Sequence, residues 1–189
     1  MLDALDVARA PVIFSHSGVR SINAHPRNVP DSVLSRLPAN GGVLMVVALP
    51  AFLTEDVRQW GASRSAEEAR LASLYSGDPM EVERLLALWV EANPAPTSTI
   101  SDMADHIDHA RRVAGIDHIG IGGDYDGMPS GPAGMEDVTG YPALFVELAR
   151  RGYSQEDLEK IAYRNILRAM RGAEAYSESL AGALPIETQ

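Results

Sequence analysis

Three short apolar runs that do not alternate constrain the fold of this chain more than anything else in it. They are residues 11–15 (Pro-Val-Ile-Phe-Ser), 43–49 (Val-Leu-Met-Val-Val-Ala-Leu) and 118–123 (His-Ile-Gly-Ile-Gly-Gly). A strand with one wet face alternates apolar and polar residues, whereas a strand covered on both faces reads as a continuous apolar run. Each run stops at polar or turn-forming residues: Ser15-His16-Ser17, Pro50, and Asp124-Tyr125-Asp126-Gly127. Helical stretches fill the gaps. The order is therefore an α/β fold with a parallel sheet and right-handed crossovers. Three parallel strands leave two open edges, and a β/α barrel takes eight. The strand count alone predicts that further strands complete the sheet.

Helix starts are well signalled. Ser65 with Glu68 has the pattern of a capping box, and Asp78-Pro79-Met80-Glu81 puts a cap, a first-turn proline and an acid ahead of a helix over 82–93. Thr99 with Asp102 opens a helix with Met103, Ile107, Ala110 and Val113 or Ala114 on one face, closed by Gly115. A helix over 141–151 ends at Gly152, and Ser154 with Asp157 opens one that runs to about Arg171. Residues 1–172 are expected to form one domain and 173–189 a small, polar, fraying tail.

The chain has 189 residues, a formal net charge of −10 and no cysteine. Acidity disfavours nucleic acid and anionic membrane surfaces as partners. The absence of cysteine leaves only His, Asp and Glu to hold any metal. No apolar run approaches the roughly 18 residues of a membrane span. The start, Met1-Leu2-Asp3, is acidic where a signal peptide is basic, so the cytoplasm is the expected location.

Parallel α/β folds carry their chemistry at the carboxyl ends of the strands. His16 is expected just after the first strand, as a metal ligand or as a hydrogen-bonded structural histidine. Asp124 follows the third run, nearer the strand than Asp126, and is the better candidate for metal or proton-transfer work, with Asp126-Gly127 serving a turn. Arg27 sits in a loop stiffened by Pro26 and Pro30, suited to bidentate capture of a carboxylate or to pairing with a surface acid. His25 reads as structural or rim. His106 and His109, i and i+3 on the helix after Thr99, have a spacing that could bind metal, but Asp105 and Asp108 beside them favour a solvated or packing face, and His118 reads as structural.

Taken together, these segments resemble the membrane (renal-type) dipeptidase family of zinc metallopeptidases. The matching text runs from Ser15-His16-Ser17 and His25-Pro26-Arg27-Asn28 through Asp105-His106-Ile107-Asp108-His109 and Gly122-Gly123-Asp124-Tyr125-Asp126-Gly127 to Tyr141-Pro142 and Asn165-Ile166-Leu167-Arg168, over about residues 5–172. The resemblance implies a partial TIM-type (β/α) barrel, about its last three β/α units, and hydrolysis of dipeptides with two zinc ions. It implies that His16 is a zinc ligand, that Arg27 binds the substrate carboxylate and that Asp124 is the acid/base carboxylate. The family's His-x-Asp, its metal-bridging Glu, a substrate-contacting His and the other His of the zinc pair have no counterpart here. The expectation is a C-terminal portion, inactive until an N-terminal half joins it in cis or in trans. A homo-oligomer, a non-catalytic barrel remnant acting as a scaffold and a different hydrolase such as a phosphoesterase remain as alternatives. Tyr163-Arg164 stands where the family has glycines.

Overall fold

The computed structural model describes residues 1–182. Its centre is a three-stranded parallel sheet in the order β1 (Ile13–Ser17), β2 (Val43–Val47), β3 (Ile119–Gly123). Around it, in chain order, lie α1 (Leu2–Val7), α2 (Asp31–Leu34), α3 (Leu37–Asn40), α4 (Pro50–Leu53), α5 (Glu55–Leu74), α6 (Pro79–Ala92), α7 (Ile100–Ala114), α8 (Tyr141–Arg150), α9 (Gln155–Glu159) and α10 (Asn165–Ser179). The middle strand is the apolar one: Val43, Leu44, Val46 and Val47 are fully buried. Helix α7 covers it with Met103, Ile107, Ala110 and Ala114, each large apolar side chain contributing on the order of 1.5–3 kcal/mol by leaving water. Helices α5 and α6 form an outlying hairpin, each burying one residue, Leu71 and Leu86. No helix among the described residues is long and apolar enough to cross a membrane.

The caps read from the sequence are present at Asp78, Thr99 and Ser154, the last two as full capping boxes. Other boundaries differ. The first strand begins at Ile13 and includes His16. Ser65 lies inside α5, which begins ten residues earlier at Glu55. Its Arg58 and Arg70 pair with Glu55 and Glu67 one turn back, and such exposed pairs help carry a polar helix through Gly61 and its serines. The segment opened by Ser154 is not one continuous helix: a π-helical turn, Lys160–Arg164, separates α9 from α10. Helix α10 continues to Ser179, so the tail read as fraying from Ala173 is helical that far, and its last residues, 183–189, lie outside the described residues.

Two irregularities shape the carboxyl ends of the strands. Between Phe14 and Ser17, β1 carries one residue more than β2, and between Ile121 and Gly123, β3 does the same. Such bulges bend a strand and sharpen its twist. Here the two outer strands approach one another across β2. A Cβ on Gly122 would lie 2.5 Å from Ser15 O, 2.9 Å from Met45 O and 3.1 Å from the Cα of His16. Only glycine allows that approach.

The opposite end of the sheet is tied down by polar groups. Asn165, which the π-turn delivers, donates to the carbonyls of Ile116 (2.7 Å) and Ile119 (2.8 Å). Arg168 donates to those of Gly41 and Asp117. His118 Nδ1 donates to Gly42 O at 2.7 Å, the structural role expected of it.

Candidate functional site

His16 and Asp124 both stand at the carboxyl end of the sheet, on β1 and directly after β3. His16 lies in the bulge, half-buried, with its ring held at both nitrogens. Arg27 Nη2 is 2.5 Å from Nε2, and Ser15 Oγ is 2.7 Å from Nδ1. A guanidinium can only donate. Nε2 is therefore the acceptor, and Nδ1 carries the proton and donates to Ser15.

Arg27 is brought to His16 by the loop after β1. Its guanidinium also lies over the Phe52 ring at 5.0 Å, and it makes no ion pair among the described residues. Phe52 in turn stacks on His25, with ring centroids 4.0 Å apart. Burial, followed by the charges of Arg27, Arg58 and Arg20, lowers the pKa of His25 below its usual value. His25 is thus a rim residue that carries the loop.

The loop itself is held by three residues that the sequence reading did not single out. Asn28 is fully buried. Its Oδ1 accepts from Gly18 N–H at 2.8 Å, and its Nδ2 donates to Asn23 O (3.0 Å) and Phe52 O (2.8 Å). Asn23, also buried, accepts from His25 N–H and donates to Ala51 O. Arg20 clamps the outside, donating to the carbonyls of Asn28 and Pro26. Buried amides are almost always hydrogen-bonded, but the burial of Asn28 is set by distant segments and leaves no signal in the sequence around it.

His106 completes the brace. It is fully buried, with Nδ1 accepting from Val19 N–H at 2.7 Å and Nε2 donating to Leu53 O at 2.9 Å. That leaves no place for a second ring proton, and burial holds its pKa below the ordinary 6.5. As pH falls below 6.5 the unfolded chain takes up a proton that the folded chain refuses, so stability is lost on acidification. Denaturant midpoints measured from pH 7 down to 5.5 should fall. They should fall less steeply in His106→Gln, which loses one titrating group while keeping a donor and an acceptor. His109 pairs with Asp31 at 2.8 Å, and Asp105 and Asp108 both pair with Arg151, so this helix face is structural as expected.

Asp124 is the only non-glycine residue with a left-handed backbone among those described, at φ 75°. It caps the 3-10 turn Tyr125–Gly127, whose Gly127 N–H donates to its carbonyl at 3.0 Å. Its carboxylate folds over Gly127, where a Cβ would lie 2.7 Å from Oδ1. Its side chain has no hydrogen-bond partner among the described residues. The arrangement therefore offers an uncommitted carboxylate and an imidazole paired with an otherwise free guanidinium, on strands that bulge toward each other. Arg27 is exposed and His16 and Asp124 are half-buried, so these groups stand on an open rim.

The family profile described as membrane dipeptidase (peptidase family M19) matches residues 1–183. The chain belongs to the membrane dipeptidase family. Relatives within it include dipeptidase tcpJ of Claviceps purpurea, 36% identical over 98% of this chain and 35% of its own length. Dipeptidase 3 of Rattus norvegicus is 38% identical over 97% of this chain and 30% of its own. Among solved structures, the probable dipeptidase PvdM from Pseudomonas aeruginosa superposes with a TM-score of 0.74 at 28% identity, covering 92% of this chain and 48% of that one. A Rhodobacter sphaeroides metallo peptidase liganded with a phosphinate mimic of L-Ala-D-Ala shares the fold at a TM-score of 0.66 and 22% identity, over 90% of this chain and 38% of that one. The chain thus spans about a third of the length of these curated relatives. Family membership implies a metal. Among the described residues no three His, Asp or Glu side chains converge to hold one. The rim offers one imidazole, and its free lone pair is taken by Arg27. These residues do not by themselves fit a zinc pair.

Proposed function

We propose that this chain is part of a (β/α) barrel and supplies three groups of a zinc-dependent dipeptidase site. His16 brings one imidazole. Arg27 binds the substrate's terminal carboxylate. Asp124 moves the proton between the attacking water and the leaving amine. The observation that carries the reading is the Arg27 guanidinium held at the strand ends, beside His16, with no ion pair to an acid among the described residues. A fork of donors kept free of internal carboxylates is what bidentate capture of a peptide terminus requires. Asp124 fits the second role because its carboxylate has no hydrogen-bond partner among the described residues and its backbone is held by the turn to Gly127. Family membership and relatives named dipeptidases supply the substrate class. Since one imidazole cannot hold two zinc ions, the remaining ligands come, on this reading, from residues beyond these 189.

The expected outcome is no dipeptide turnover and no stoichiometric zinc pair with the 189-residue chain alone. Turnover should appear when the upstream portion of a family member is co-expressed with it, and disappear again in His16→Ala. Turnover by the pure chain with two zinc ions bound per monomer would overturn the reading.

A further inference from the structure

The hydroxyl of Tyr141 lies against the backbone that carries Asp124. A Cβ on Gly123 would sit 2.5 Å from Tyr141 Oη and 3.5 Å from the Tyr125 ring. Gly123 has φ 51° and Asp124 φ 75°, so two successive residues are left-handed where the chain leaves β3. For the second of these, an aspartate, that conformation is uncommon, though aspartate tolerates it better than most side chains do. The neighbouring phenol is differently employed: Tyr125 OH donates to Met135 O at 3.1 Å and its ring meets that of Tyr141 edge-on at 5.9 Å. Tyr141 OH has no hydrogen-bond partner among the described residues. Burial raises the pKa of both phenols, Tyr125 to about 12, so both stay protonated. Tyr141 is anchored from behind as the first residue of α8, followed by Pro142, a position at which proline stiffens the helix start.

We propose that Tyr141 is a positioning residue for Asp124: its phenol oxygen occupies the space a side chain at 123 would fill, and so fixes the left-handed Gly123–Asp124 pair that aims the carboxylate. The inference rests on the proton-transfer role proposed for Asp124, but its geometry does not depend on turnover. Residue 123 is thereby restricted to glycine twice, by its φ and by the phenol. Removing the hydroxyl relaxes only the second restriction.

The test uses the 189-residue chain, labelled for NMR, with Tyr141→Phe, Tyr141→Leu, Gly123→Ala and the Tyr141→Phe/Gly123→Ala pair. Tyr141→Leu should shift the amide–α coupling of Asp124 toward the larger value of extended backbone. It should also move the ¹³Cγ resonance of Asp124 several-fold more than that of Asp126, with amides of β1 and β2 unmoved. Tyr141→Phe, which keeps the ring, should shift both part-way. Gly123→Ala should lower the denaturant midpoint, and the same change made in Tyr141→Phe should lower it by no more than half as much. Unchanged Asp124 coupling in Tyr141→Leu, or an equal penalty for Gly123→Ala in both backgrounds, overturns the inference. The proton-transfer reading fails separately, if Asp124→Asn leaves hydrolysis by the complete enzyme intact.

Discussion

Asp124→Asn, in a protein with its metal shell complete, is expected to lower kcat by about 10²- to 10⁴-fold, the usual contribution of a positioned acid/base, and to leave KM within a few-fold. Asparagine is the clean replacement because it tolerates the left-handed backbone at least as well as aspartate, so the turn at Tyr125–Gly127 survives and only the proton carrier is lost. Arg27→Ala should do the opposite. It removes a charge-assisted bidentate contact of about 1.5–3 kcal/mol, which is roughly a 10- to 150-fold rise in KM, with a smaller change in kcat. Arg27→Lys should fall between, because an ammonium keeps the charge but not the fork. Steady-state kinetics on a dipeptide and on the same dipeptide with its carboxyl amidated separate the two roles. The wild type should lose most of its preference for the free acid when Arg27 is replaced, and none when Asp124 is. A reversed pattern would exchange the assignments.

Much of this was legible locally. The three apolar runs are the three strands, and the caps at Asp78, Thr99 and Ser154 form as their spacing requires, because a cap involves residues no more than three apart. The errors fall where the deciding partner is distant or where several weak local signals compete. Ser65 with Glu68 has the pattern of a helix start, yet α5 runs through it, supported by ion pairs along its length and by packing against α4 and α6. The bulges at His16 and Gly122 could not be read from β1 or β3 alone, since each is defined by the register of β2. The candidate site follows the same rule. His16, Arg27 and Asp124 are candidates on local grounds, by their places after apolar runs and between prolines. The groups that orient them are not: Val19 and Leu53 hold His106 from 87 and 53 positions away, and Tyr141 reaches Gly123 across the whole loop that follows β3.

Asn28 is where that hidden support is most concentrated, and its replacement should be the most destabilising single change in the loop. Asn28→Ala leaves the N–H of Gly18 and the carbonyls of Asn23 and Phe52 without partners in a fully buried site. At about 1–3 kcal/mol for each unsatisfied group, the loss is on the order of 3 kcal/mol or more. Asn28→Asp is the sharper test. One carboxylate oxygen can still accept from Gly18, but the other turns a donor into an acceptor facing two carbonyls, and a buried charge gains no partner. At neutral pH it should be at least as damaging as alanine. Protonation restores one donor, and burial against carbonyls raises the folded-state pKa of the new carboxyl above its unfolded value. The deficit relative to wild type should therefore shrink as pH falls through that raised pKa, while the alanine deficit keeps its size. Because the same side chain ties β1's exit to the backbone of Phe52, over which Arg27 lies, both variants should also loosen the hold of Arg27 on His16. A denaturant series in which Asn28→Asp matches wild type at pH 7 would mean that the amide does not bridge the two segments.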